Sequence, residues 1–96
     1  MLVVITYDVK TSGVGGNKRL RQVAKKCESY GLRVQNSVFE CNIDAAQLVK
    51  LRYDLIKIIN ASEDSLRFYR LGNNYKSKVE HIGTKDTFDL DEPLIF

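Results

Sequence analysis

The stretch RVQNSVFECNI, residues Arg33 to Ile43, decides between two folds for this chain. Phe39, Cys41 and Ile43 alternate with polar residues, a pattern that predicts a β-strand. Read as one strand, the stretch gives the element order βαβαββ for the whole chain. It is also long enough to break into two strands around Asn36, which permits the ferredoxin-like βαββαβ arrangement. We favour the second interpretation.

Two elements precede this stretch. Leu2 to Tyr7 is rich in Val and Ile and is apolar on both faces, which predicts a strand in the middle of the sheet. From Asn17 to Tyr30 apolar residues recur at helical spacing, which predicts an amphipathic helix, and Gly31 supplies a C-terminal stop. A helix therefore separates the first strand from the deciding stretch.

A second helix and two further strands follow it. Asp44 and Gln47 match a capping box and predict the start of a helix that ends near Asn60. The apolar residues at helical spacing that would form its buried stripe are Leu48, Leu51, Leu55, Ile58 and Ile59. Residues 65–71 and 78–83 predict two strands joined by a Gly-Asn-Asn turn.

A chain of 96 residues accommodates one domain. We assign residues 1–84 to this domain and residues 85–96 to an acidic linker followed by a C-terminal edge strand. The terminal EPLIF is an isolated apolar patch that needs a strand to pair with. That strand belongs either to the same chain or to a second copy of it.

The sequence also predicts where the protein resides. No segment is long and apolar enough to span a membrane, and the first residues lack the features of a secretory signal. Cys27 and Cys41 fall at apolar positions without metal-ligand spacing, which favours reduced thiols in the core. We therefore expect a cytoplasmic protein with no membrane association.

Positive charge is concentrated in the first third of the chain. Residues 1–33 hold seven Lys or Arg and two acids, whereas residues 85–96 hold one Lys and four acids. Lys18, Arg19 and Arg21 fall in the first turns of the first helix, where the helix dipole disfavours cations unless an anion binds there. They predict a phosphate-binding surface, with a solvated helix face as the alternative. If the cations do bind phosphate, this surface extends over Lys25, Lys26 and Arg33.

Asp8 ends the first strand, where a rigid backbone aims its carboxylate into the space beside the sheet edge. A functional role and a role as cap of the following turn both fit this position. A single carboxylate is a small basis for a metal site, since Mg²⁺ usually takes one or two protein carboxylates together with water and phosphate. The loop GVGGNK that follows matches neither a P-loop nor a dinucleotide-binding fingerprint.

Three other side chains are weaker candidates. His81 has no serine or cysteine partner that the sequence identifies, which favours a structural or surface role. Tyr69 and Tyr75, like Tyr7, have rings that could stack on bases, but aromatic residues on strands more often pack against neighbours.

Five segments, ITYDV, KRLRQVAK, GLRVQNSVFEC, YRLGNNYKSKVEHIG and the terminal PLIF, together resemble the CRISPR-associated protein 2 family in order and over essentially the whole chain. The last two are similar to the branch found with subtype I-C systems. The resemblance implies an α+β, ferredoxin-like βαββαβ sandwich, and hence a split second strand. It also implies a homodimer in which the C-terminal strand of each protomer joins the sheet of its partner.

The resemblance further implies a function in CRISPR adaptation, the acquisition of spacers for antiviral defence. It implies a metal-dependent endonuclease acting on phosphodiester bonds of RNA or double-stranded DNA, in which two copies of Asp8 together hold Mg²⁺. The implied phosphate-binding residues are Arg19, Arg21 and Arg33, in addition to the candidate Lys18. The implied supporting residues near the site are Tyr7, Ser37 and Phe39. The alternative is a non-catalytic architectural homodimer that bridges integrase subunits and binds the backbone of duplex DNA.

Overall fold

The computed structural model describes residues 1–10 and 14–83. These residues form a four-stranded antiparallel sheet in the order β2-β3-β1-β4, with both helices on one face. The elements are β1 (Leu2–Asp8), α1 (Gly16–Glu28), β2 (Leu32–Gln35), β3 (Val38–Asn42), α2 (Ala45–Ile58) and β4 (Ser65–Gly72). The favoured βαββαβ order and the α+β, ferredoxin-like fold class are thus confirmed.

The deciding stretch divides at a two-residue turn formed by Asn36 and Ser37. Gln35 pairs with Val38 across this turn, so β2 and β3 form an antiparallel hairpin. Arg33 stabilises the turn, because its Nε donates to the Asn36 carbonyl at 2.8 Å and its Nη2 donates to the Asn36 side-chain oxygen at 3.0 Å. The side chain of a strand residue therefore helps to end its own strand.

The core lies between the sheet and the two helices. Val3, Ile5 and Tyr7 alternate along β1 and are buried there. Ile5 pairs with Phe39 and Val3 with Cys41, so β3 contributes its buried residues to the same face. The helical residues that complete this core are Val23, Ala24, Cys27, Leu48, Leu51 and Leu55.

The two cysteines are free and buried, as the sequence predicts. Burial raises the pKa of the Cys27 thiol to about 12 and that of Cys41 to about 11. Both side chains therefore remain protonated thiols at neutral pH and serve as core residues.

Gly31 has a different role from the helix stop that the sequence predicts. α1 ends at Glu28, and Ser29 caps it in a right-handed conformation. A Cβ atom on Gly31 would lie 2.1 Å from the carbonyl oxygen of Glu40. Glycine is required here because the chain passes directly against the backbone of β3.

The predicted strand at residues 78–83 is wrong. β4 ends at Gly72, whose φ is 78°, and the following residues turn at Tyr75 and Lys78 instead of pairing with a strand. Val79 and Ile82 remain 36% and 85% exposed, and neither belongs to the buried core of the described chain. The predicted domain limit at residue 84 and the C-terminal strand at 85–96 lie outside the described residues.

Candidate functional site

Asp8 lies on the face of the sheet that is opposite to the helices. Side chains alternate along a strand, and Tyr7 faces the helical core, so Asp8 shares the other face with Val4 and Thr6. We call this surface the open face. Asp8 is exposed, and its carboxylate has no ion pair or hydrogen bond with residues 1–10 or 14–83. The carboxylate is therefore available to a ligand.

Tyr7 precedes Asp8 in sequence but points to the opposite side of the sheet. Its ring is 1% exposed, and its hydroxyl donates a 2.5 Å hydrogen bond to Oδ2 of Asp64. Burial and the neighbouring Asp64 carboxylate raise the pKa of Tyr7 to about 12. The phenol therefore stays protonated and acts as a fixed donor beneath the end of β1.

Arg19 is held by the same carboxylate. Its Nε donates to Oδ2 of Asp64 at 2.8 Å and its Nη2 donates to Oδ1 at 3.1 Å, a bidentate pair. Nη2 also lies 3.2 Å from Glu63, and Nη1 donates to the Val14 carbonyl at 3.1 Å. The Arg19 side chain is only 13% exposed. Phosphate binding by Arg19 stays a prediction, and a phosphate would have to compete with this pair.

Asp64 is the acceptor that joins these groups. Burial disfavours its ionised form, but hydrogen bonds from Arg19, Tyr7 and the Asn60 amide outweigh burial and lower the pKa of Asp64. Its side chain is 0% exposed. We call Tyr7, Asp64 and Arg19 the carboxylate lock, because they tie the end of β1, the start of α1 and the loop before β4 together.

Sequence reasoning missed the carboxylate lock. Asp64 stands 45 residues from Arg19 and 57 from Tyr7. It lies in a polar segment, NASEDS, that resembles an ordinary turn. No spacing in the sequence connects it to either partner.

Lys18 and Arg21 are exposed on the outer surface of α1. With Lys25 they fall three and four residues apart, which places all three on one side of the helix over about 10 Å. None of the three has an ion pair with the described residues. We call them the α1 track. Lys26 is different, because its Nζ lies 3.7 Å from Asp54.

The remaining site residues that the resemblance implies lie in three different environments. Arg33 binds the hairpin turn and also lies 3.7 Å from Glu28. The carbonyl of Ser37 accepts a 2.9 Å hydrogen bond from the Tyr7 amide, which places the turn beside the end of β1. Phe39 is fully buried in the core. The structure thus brings Ser37 near Asp8 and places Phe39 beneath the sheet, while their functional roles stay predictions.

The three weaker candidates also differ in their exposure to solvent. Tyr75 is buried and therefore packs, whereas Tyr69 is 43% exposed. His81 is exposed. Among residues 1–10 and 14–83 there is no helix that could cross a membrane.

At the end of β1, the described part of a single chain offers a divalent cation one carboxylate, that of Asp8. No group of three His, Cys, Asp or Glu side chains suited to a metal occurs among the described residues. An Asp8 that is exposed and has no partner in the described parts of the chain nevertheless fits a hard cation such as Mg²⁺, which takes few protein ligands and keeps its other positions for water or phosphate.

Known proteins are similar to this chain over nearly its whole length. The family model for CRISPR associated protein Cas2 matches residues 1–79. The CRISPR-associated endonuclease Cas2 of Halalkalibacterium halodurans is 65% identical over 96 residues, which cover 100% of both chains. The CRISPR-associated endoribonuclease Cas2 of Chlorobaculum tepidum is 55% identical over 95 residues, or 99% of each chain.

A solved structure agrees with the architecture as well. The crystal structure of Streptococcus pyogenes Cas2 matches with a TM-score of 0.79 and 52% sequence identity, covering 86% of this chain and 100% of that one. Sequence and fold therefore lead to the same family, as the resemblance implied, while the subtype I-C branch stays a prediction. The chain belongs to the CRISPR-associated protein Cas2 family.

Proposed function

We propose that this protein is a Mg²⁺-dependent endonuclease of CRISPR adaptation, with Asp8 as its metal-binding carboxylate. The proposal depends on the position of Asp8 at the end of a strand whose other face is buried, with a carboxylate that is exposed and has no ion pair or hydrogen bond with the described residues. Curated relatives of this chain are named as endonuclease and endoribonuclease. We propose both DNA and RNA as substrates, because cations that bind phosphate do not distinguish the sugar.

Asp8 is held for this role by the elements around it. β1 is the second strand from one edge and pairs on both sides, so the backbone that carries Asp8 has little freedom. When bound, Mg²⁺ would polarise the phosphodiester and lower the pKa of a bound water. One carboxylate per chain supports a homodimer in which a second Asp8 completes the site.

The α1 track is the proposed surface for the nucleic-acid backbone. Lys18, Arg21 and Lys25 carry charges that no described carboxylate neutralises, and exposed cations in a row bind a phosphate backbone through charge. Arg19 and Arg33 contribute less in this proposal, because their guanidinium groups already have acceptors within the chain.

The test compares native protein with Asp8→Asn on matched duplex DNA and single-stranded RNA, with Mg²⁺ and with a chelator. We expect native protein to cleave only with Mg²⁺, and Asp8→Asn to lose at least about 100-fold in rate, since it loses the charged ligand. Glu80→Gln removes an exposed carboxylate elsewhere and should cleave normally. Equal cleavage by native protein and Asp8→Asn would refute the proposed site.

A second proposal concerns the assembly and does not need Asp8. The α1 track and Asp8 belong to different faces of the sheet, so duplex binding by a homodimer that bridges integrase subunits does not depend on the carboxylate. Spacer acquisition in cells distinguishes the two roles. Acquisition that survives Asp8→Asn but fails without the α1 track would support bridging, and the reverse result would support cleavage.

A further inference from the structure

The α1 track supplies no protein cation to the open face, where Asp8 lies. In the proposed reaction Mg²⁺ would offset the negative charge between the phosphodiester and the Asp8 carboxylate, and a protein cation on the same face would position the phosphate in addition to the ion. α1 packs against the other face, and Arg19 is committed to Asp64. A protein cation that acts beside Mg²⁺ on the open face therefore has to come from a strand.

The register of β1 and β4 identifies the residues around Asp8 on the open face. Asp8 lies directly opposite Ser65, and Thr6 lies directly opposite Arg67. Residues that oppose each other in an antiparallel pair share a face, so Ser65 and Arg67 lie on the open face with Asp8. Arg67 is the diagonal neighbour of Asp8, at a separation of about 7 Å between Cβ atoms that a long side chain can span.

No described carboxylate neutralises the charge of Arg67. The residue is exposed, and its Nη1 donates to the hydroxyl of Tyr69 at 2.9 Å, with the guanidinium carbon 5.8 Å from the ring centre. A phenol orients the guanidinium without neutralising it. Arg67 has no ion pair with any residue in the described ranges. A guanidinium that is oriented and still charged can offer two donors to a phosphate.

We propose that Arg67 binds the scissile phosphate beside Asp8, with Ser65 lining the same position. The inference rests on the proposed endonuclease function and deepens it by naming the group that holds the substrate at the reacting atoms. The substrate class is a nucleic-acid phosphodiester, recognised through its non-bridging oxygens.

Arg70 provides a matched control on the same strand. It is also an exposed arginine, but it pairs with the core residue Val3 and therefore lies on the helical side of β4. Replacing either arginine removes one charge from an exposed position, so the net charge changes equally. Only Arg67→Gln removes a cation next to Asp8.

The experiment measures cleavage rates of native protein, Arg67→Gln, Arg67→Lys, Arg70→Gln and Asp8→Asn on one substrate with Mg²⁺. We expect Arg67→Gln to lose at least about 10-fold, Arg67→Lys to retain part of the activity, and Arg70→Gln to stay within about 2-fold of native protein. Equal rates for Arg67→Gln and Arg70→Gln, with Asp8→Asn inactive, would overturn the role of Arg67 alone. Cleavage that persists in Asp8→Asn, or is absent from native protein, would overturn the proposed function and this inference with it.

A measurement without metal or turnover supplies an independent readout. In a chelating buffer, a short single-stranded oligonucleotide should shift the Nε–H resonance of Arg67 in the native protein, assigned by its loss in Arg67→Gln. The Arg70 resonance should remain unchanged. A shift at Arg70 and none at Arg67 would contradict the proposal.

Discussion

Asp64 accepts hydrogen bonds from three separate parts of the chain. Tyr7, Arg19 and the Asn60 amide all donate to it, and its side chain is 0% exposed. A buried carboxylate is stable only when its acceptor positions are satisfied, because desolvation of an unpaired charge is expensive. The carboxylate lock therefore contributes to the fold and fixes the residue that precedes Asp8.

Tyr7→Phe tests the lock by removing one hydroxyl and leaving the ring in the core. We expect it to lower the free energy of unfolding by about 1.5 kcal/mol, the usual contribution of a hydrogen bond to a charged acceptor. Asp64→Ala should lower it further, because Arg19 then lacks its carboxylate. Urea unfolding at neutral pH measures both, with Ser77→Ala at an exposed position as the control. A Tyr7→Phe variant as stable as native protein would contradict the lock.

The same variant has a characteristic response to alkali. The pKa of Tyr7 is raised from 10.0 to about 12 in the folded protein, so its contribution to stability is complete below pH 10 and is lost as pH rises toward 12. Native protein should therefore lose its advantage over Tyr7→Phe across this range. Both proteins share the titration of Cys27 and Cys41, which cancels in the comparison. If the difference in unfolding free energy between native protein and Tyr7→Phe stays constant with pH, the raised pKa of Tyr7 does not contribute to stability.

At the scale of elements, the hairpin of β2 and β3 depends on how closely α1 approaches it. The chain leaves α1 at Glu28 and enters β2 at Leu32, so only three residues make the connection. Gly31 allows this connection to lie against the Glu40 carbonyl. The short connection explains why a glycine is needed although its φ is not positive.

Gly31→Ala should therefore destabilise the protein by about 2 kcal/mol or more, since an added methyl group must displace backbone atoms. Gly72→Ala provides the comparison. Its Cβ would meet nothing within 4 Å, but its φ of 78° disfavours any other residue, with a cost of about 1 kcal/mol. Urea unfolding ranks the two variants. A smaller effect at Gly31 than at Gly72 would show that β3 can move away.

At the scale of the whole molecule, the sheet separates the two proposed sites. The open face carries Asp8 and Arg67, and the helical side carries the α1 track. The net charge of +3 is too small to account for the proposed nucleic-acid binding by itself, so the proposal depends on the distribution of charge. Binding and cleavage should consequently respond to different substitutions.

A triple variant of the α1 track tests this separation. Replacing Lys18, Arg21 and Lys25 with Gln should weaken duplex binding and reduce the slope of log K against log salt by about 0.9 for each phosphate that the variant no longer neutralises. Replacing Lys50, Arg52 and Lys57 of α2 with Gln removes the same charge from the other helix and serves as the control. Equal effects of the two triple variants would attribute binding to net charge instead of the track.

The local elements could be predicted from the sequence because their signals are local. The Asp44–Gln47 capping box is present at the start of α2, and the apolar alternation of β1 and the helical spacing of α1 hold in the structure. A short-range pattern depends only on the backbone period and the polarity of neighbouring residues. The strand predicted at 78–83 failed because a strand needs a hydrogen-bonded neighbour, which no local pattern can guarantee.

The sequence by itself determined the elements, the position of Asp8 at a strand end and the concentration of cations in α1. The tertiary structure alone decided which of these charges are available. It paired Arg19 with Asp64, 45 residues away, and the strand register placed Arg67 beside Asp8. The physical reason is that the availability of a charge depends on partners brought together by folding, and sequence spacing does not record those partners.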